Sequence, residues 1–127
     1  MTKPIDAPTA SAIPMDPDSA FNAIANSRRR RVLLSLSQSR GEISAGDLAV
    51  EIAAIENAID PSKIRSNERT SVYISLTQSH LKTLDGCGAV TFEDRSKSVS
   101  PTDATEPLAE HIRWLQTACY KPDSEGA

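Results

Sequence analysis

From Ser66 to Gly88 the chain reads as one long amphipathic helix, and the rest of its 127 residues must be arranged around that rod. Ser66 and Asn67 belong to the residue types whose side-chain oxygens cap the first helical amides. Gly86 and Gly88 belong to the type that closes a helix in the left-handed conformation. Between them Val72, Tyr73, Leu76, His80 and Leu84 recur at steps of three and four. That spacing predicts one buried face, widened by Ile74 and Leu81. His80 falls on this apolar arc and reads as a core histidine rather than an acid–base group. The opposite arc holds Asn67, Ser71, Ser75, Gln78, Ser79 and Lys82, with Glu68 at its start as the one acid. A helix with an apolar back and an uncharged-to-basic front can lie in the major groove of DNA. The ordinary alternative is a surface helix whose polar side faces water.

After Gly88 the period changes. Ala89–Glu93 alternates apolar and polar residues, Asp94–Lys97 supplies a turn, and Ser98–Ser100 is a short return strand ended by Pro101. A hairpin directly after a long amphipathic helix has the order of a winged helix. The rod would enter the groove, and Arg95 and Lys97 at the hairpin tip would touch the flanking phosphate backbone. The alternative is a hairpin that only covers the core.

Ahead of the rod, residues 1–15 lack any period and are expected to form a disordered leader. Asp16-Pro17 is a helix start, with Asp16 as cap and Pro17 in the first turn, and Phe21, Ile24 and Ala25 on one side. Asn26 or Ser27 caps the next helix, whose apolar stripe is Val32, Leu33 and Leu36 and which stops by Gly41. It opens with Arg28-Arg29-Arg30-Arg31. On a helix these point four ways, so one or two are expected over the core or paired with acids, and the others, with Arg28 and Arg29 as candidates, to reach phosphate. Ser44 with Asp47 is a capping-box variant preceded by Ile43 as a hydrophobic staple, opening a supporting helix through Ile55. Asp60-Pro61 breaks that pattern, with a short helical turn expected at 61–64, and Lys63 and Arg65 set positive charge just ahead of the rod.

A last helix begins near Thr105-Glu106-Pro107, with Thr105 as cap. Leu108, Ile112, Leu115 and Cys119 form its seam, with Trp114 beside them. Two uses fit the seam: packing on a second copy, or packing back on the same domain. The expected layout is a winged-helix domain over residues 16–101, a C-terminal helix over 102–120 that can dimerise, and a tail over 121–127.

The length allows one modest core, which must be mostly aliphatic because the aromatic residues are only Phe21, Tyr73, Phe92, Trp114 and Tyr120. Net charge is −3, yet residues 28–97 hold eleven Lys/Arg against nine Asp/Glu, while the flanks hold three against eight. Acidic ends around a mildly basic middle fit a DNA-binding core. Cys87 and Cys119 are too few for a disulfide framework, and with no secretory signal or membrane span the expected location is the cytoplasm. His80 and His111 have no partners at metal-ligand spacing, and no convergent titratable set suggests catalysis. No enzyme activity, cofactor or small-molecule substrate is therefore expected. Cys87, between two glycines, is the one candidate for thiol or metal sensing, though a lone cysteine does not make a metal site.

Three segments carry a family likeness: Ala25–Leu36 with its arginine run; Ile43–Ala49 with Ile52 and Ala53; and Val72–Leu76 with His80-Leu81, Leu84-Asp85 and Gly88–Val90. With them the chain resembles a family of small winged-helix-like domains of uncharacterised function abundant in halophilic archaea, similar in architecture to ArsR-type transcription regulators. The family usually has proline after His-Leu where this chain has Lys82, so the rod is expected to run on without a kink. The resemblance implies a mainly α fold with a small β-hairpin, a winged helix-turn-helix, that binds double-stranded DNA as a transcription regulator and homodimer. The alternative is a protein–protein interaction module on the same scaffold without DNA binding.

Overall fold

A computed structural model describes residues 12–120 and Pro122. The chain is mainly helical with a small antiparallel sheet. Its elements run α1 (Pro17–Ile24), α2 (Ser27–Ser39), β1 (Ile43–Ser44), α3 (Ala45–Asn57), a 3₁₀ turn (Pro61–Lys63), α4 (Ser66–Ser75), a π-helical turn (Leu76–His80), α5 (Leu81–Gly86), β2 (Val90–Glu93), β3 (Ser98–Pro101) and α6 (Thr105–Ala118). Residues 1–11, most of the expected leader, and nearly all of the expected tail lie outside the described residues. The described end of the leader is engaged: Ile13 and Met15 pack against the core.

Local capping follows the sequence for the first three helices. The Asp16 carboxylate accepts from the Ser19 amide at 3.0 Å, the Asn26 side chain accepts from the Arg28 amide at 2.8 Å, and the Ser44 hydroxyl accepts from the Asp47 amide at 3.0 Å. Two caps differ. Ser66 and Asn67 lie inside the first turn of α4, where Glu68 instead accepts from the Arg65 amide at 2.9 Å. Thr105 is buried and does not cap α6. Its hydroxyl donates to Ala89 O at 2.7 Å and accepts from the Thr102 amide at 2.8 Å, tying the helix start to the entry of the hairpin.

The hairpin has a third strand that the sequence did not announce. Ile43, read as a staple, pairs with Val99, and Ser44 pairs with Ser98, so the order is β1-β3-β2. The Ala45 amide also donates to Lys97 O at 2.8 Å, hitching the start of α3 to the hairpin turn. This order of helices and strands is compatible with a winged-helix-like fold.

The core joins Val32, Leu33 and Leu36 of α2, Leu48 and Ile52 of α3, Val72, Leu76, Leu81 and Leu84 of the rod, and Val90 and Val99 of the sheet. α6 lies along α2 and closes it with Leu108 and Ile112, both fully buried. That burial takes these two residues out of the expected dimer seam. The aliphatic side chains that would have met a second copy fill the chain's own core instead. Of the rest of the seam, Trp114 and Leu115 are half-buried and Cys119 is exposed.

The rod itself departs from a regular helix. Leu81 donates its amide to Leu76 O, a five-residue step that defines the π turn. The step places Leu81 directly below Leu76, so the buried seam is Val72, Leu76, Leu81 and Leu84. His80, assigned to the core by a regular period, is moved to the rim and is half-buried. Thr77 is buried at the wide turn, and its hydroxyl donates to Tyr73 O at 2.9 Å, satisfying a carbonyl there. The rod ends as a Schellman motif: Gly88 has φ +83°, its amide donates to Asp85 O at 3.0 Å, and the Ala89 amide donates to Leu84 O at 2.9 Å.

Candidate nucleic-acid interface

The outward side of the rod is open. Asn67, Ser71, Gln78, Ser79 and Lys82 are exposed and Ser75 is half-buried. Among the described residues, none of these six side chains makes a hydrogen bond or ion pair within the chain. Thr70 is exposed on the same side, and so is Ile74, at 45%. Ile74 was expected on the apolar arc. A step of about 200° from Val72 instead turns it outward.

Cations border this row. Lys63, Arg65 and Arg69 are exposed at its N-terminal end, where Asp60 holds the 3₁₀ turn by accepting from the Ser62 amide at 2.9 Å. At the other border is the hairpin turn. There Lys97 adopts a left-handed backbone, φ 58°, and its ammonium meets Asp94 Oδ1 at 2.6 Å and lies 6.0 Å from the centre of the Phe92 ring. The pair holds the Asp94 carboxyl below its ordinary range, chiefly through the Lys97 hydrogen bond, with a smaller contribution from Lys82. Lys82 is therefore within electrostatic reach of the turn. Lys97, tied to Asp94, is a weaker candidate for phosphate than the sequence suggests. Arg95, exposed and without an ion pair among the described residues, is the stronger one.

A family model of a domain of unknown function, DUF7344, matches residues 21–100. The chain belongs to DUF7344. No curated protein and no solved structure matches it. The DUF7344 match takes in the arginine run, the rod and the hairpin, and stops ahead of α6.

Within the DUF7344 domain the arginine run is turned largely inward, against expectation for Arg28 and Arg29. Arg28 forms a two-pronged pair with Glu56, Nε to Oε2 at 2.7 Å and Nη2 to Oε1 at 2.8 Å, joining the start of α2 to the end of α3. Arg29 donates to Asn22 O at 2.6 and 3.1 Å, and Arg30 donates to Ile24 O at 2.7 Å. Both therefore satisfy carbonyls at the C-terminal end of α1, which has no basic residue of its own in its last turn. The sequence signal for this lay in the shortness of α1: a two-turn helix directly before a cationic one brings its last carbonyls within reach of its neighbour's side chains.

Arg29 also brings its Nη1 to 3.2 Å from His80 Nδ1, so a neutral imidazole accepts there. Burial foremost, then Arg29 and Arg28, hold the His80 pKa below its ordinary 6.5, while Glu56 pulls the other way. The folded chain thus takes up a proton here less readily than the unfolded chain. Stability from this contact is complete above pH 6.5 and is lost as pH falls below that value toward the depressed folded pKa. Urea midpoints are expected to decline between pH 7.5 and 5.5. In a His80→Gln variant the decline should begin only where Glu56 and Glu106, both held below the ordinary carboxylate range, become protonated. Equal declines in the two proteins would remove His80 as the cause.

Proposed function

We propose that this DUF7344 chain is a DNA-binding transcription regulator of winged-helix architecture, similar to the ArsR type. In this reading α4, the π turn and α5 enter the major groove, and the β2–β3 hairpin rests on the flanking backbone. The observation that supports it is the exposed row of amide, hydroxyl and ammonium side chains from Asn67 to Lys82, with no partner within the described chain. Buried polar side chains are normally paired, whereas a reading face must keep its donors and acceptors for base edges. Lys63, Arg65 and Arg95 would meet phosphate, and Lys82 would reach into the groove with the rest of the row.

Reading a pseudo-palindromic site calls for a second copy, with the two rods about 34 Å apart. With Leu108 and Ile112 buried, the surface left for that contact is the C-terminal end of α6 beside α1. There Leu115 and Cys119 border Ile24, and Phe21 and Tyr120 are 68% and 83% exposed.

Arg95→Ala is expected to weaken binding to every duplex alike. It should also flatten the dependence of log affinity on log salt by about 0.9 for each phosphate that the variant no longer neutralises. A fluorescence titration at several salt concentrations reads both. A slope that stays unchanged would place the hairpin away from the backbone.

A protein-interaction module on the same scaffold is the second reading. Its support is the inward engagement of Arg28, Arg29 and Arg30, which leaves few free cations on a chain of net charge −3. Absence of duplex binding at both low and high salt would favour it.

A further inference from the structure

Building on the DNA-binding proposal, we infer that Ile74 is a specificity-determining residue that reads the 5-methyl group of thymine, and that the bound site is rich in A·T pairs. Asn67, Thr70, Ser71, Ile74 and Gln78 follow one another at helical steps, so Ile74 sits in the middle of the exposed row rather than at its edge. An isoleucine at 45% exposure, ringed by amides and hydroxyls, has no apolar neighbour on that face of α4.

The major groove offers one apolar group to such a side chain, the thymine methyl. The neighbours agree with that choice. Side-chain amides, as in Asn67 and Gln78, match the N7 acceptor and N6 donor of adenine. The hydroxyls of Thr70 and Ser71 accept either polarity. No guanidinium or ammonium, the usual reader of guanine, stands among the five. Arg69 lines a groove against α3 with Asp47, Val50 and Tyr73, which Thr70 also borders, and Lys82 stands at the far end of the row, two turns from Ile74. A duplex is favoured over a protein partner by the cations at the two ends of the row, Lys63 and Arg65 at one and Lys82 at the other. All three are exposed, and their charge complements a polyanion.

The test selects sites for the full chain from random duplexes, then replaces each thymine of the best site by deoxyuridine, which differs only in lacking the methyl. For the wild-type chain, a single replacement is expected to weaken binding about fourfold, and one in each half-site about fifteenfold. Ile74→Ala, whose melting temperature is to be measured alongside because the residue is 45% exposed, should bind the thymine and uracil duplexes equally. Uracil tolerated at every position, or an Ile74→Ala chain that keeps the penalty, overturns the inference while leaving DNA binding intact. A chain that selects no duplex even at low salt instead overturns the regulator reading on which the inference stands, and directs Ile74 to a protein partner.

Discussion

Leu81→Ala is expected to lower the unfolding free energy by about 2–5 kcal/mol, whereas His80→Ala, one position earlier, should cost about 1 kcal/mol or less. The contrast follows from the π turn. A regular helix through Leu76 would carry His80 into the core and leave Leu81 on its edge. The five-residue step from Leu76 to Leu81 reverses their places, leaving Leu81 with no accessible surface and His80 half-buried against Arg29. Truncating Leu81 opens a cavity among Leu76, Leu84 and their core neighbours, which can relax only in part. Truncating His80 takes one acceptor from a guanidinium that keeps its bonds to Asn22 O. Urea unfolding of the two variants at pH 7.5 separates the cases. Similar losses, or a larger one for His80, would mean that the rod is regular α-helix.

Alanine at Ser71, Gln78 and Lys82 together is expected to lower affinity for the specific duplex by at least about a hundredfold, with weak binding to unrelated duplexes remaining. A side-chain amide paired with a base contributes about 1–3 kcal/mol of discrimination, and a tenfold change in affinity corresponds to about 1.4 kcal/mol. All three side chains are exposed and none is hydrogen-bonded within the described chain, so the melting temperature should not move. That independence gives the variant its value, since a loss of binding cannot be assigned to a loss of fold. Unchanged specific affinity would show that another surface is the reader.

What the sequence disclosed, and what it hid, divide along a physical line. Features set by a few neighbouring residues were legible. Asp16, Asn26 and Ser44 cap the helices they were expected to cap, Asp60-Pro61 opens a short helical turn, and Asp94–Lys97 turns a hairpin. Features decided by residues far apart were not. β1 is two residues long and exists only because β3, more than fifty residues away, supplies its partners. The carbonyls of α1 take up Arg29 and Arg30 only because α1 and α2 fold against each other. The fate of Leu108 and Ile112 turned on whether α2 offered a groove.

The candidate site shows the same division in one element. The row from Asn67 to Ser71 could be drawn from periodicity, because α4 is regular there. A widened apolar arc takes in Ile74, which α4 turns outward, and a 3.6-residue period puts His80 in the core, across a turn that does not keep that period. Thr77 was the available sign: a β-branched hydroxyl residue in the middle of an apolar seam, able to satisfy the carbonyl of Tyr73 as the helix widens.

The wide turn also bears on how this chain tolerates deletion. Removing a residue from a regular stretch of the rod would swing everything downstream by about 100° and tear Leu84 from its neighbours. Within Leu76–His80, loss of one residue would only shorten the five-residue step to the ordinary four. This is the place along the rod where a gene can shed a single codon while the aliphatic side chains before and after it stay in line.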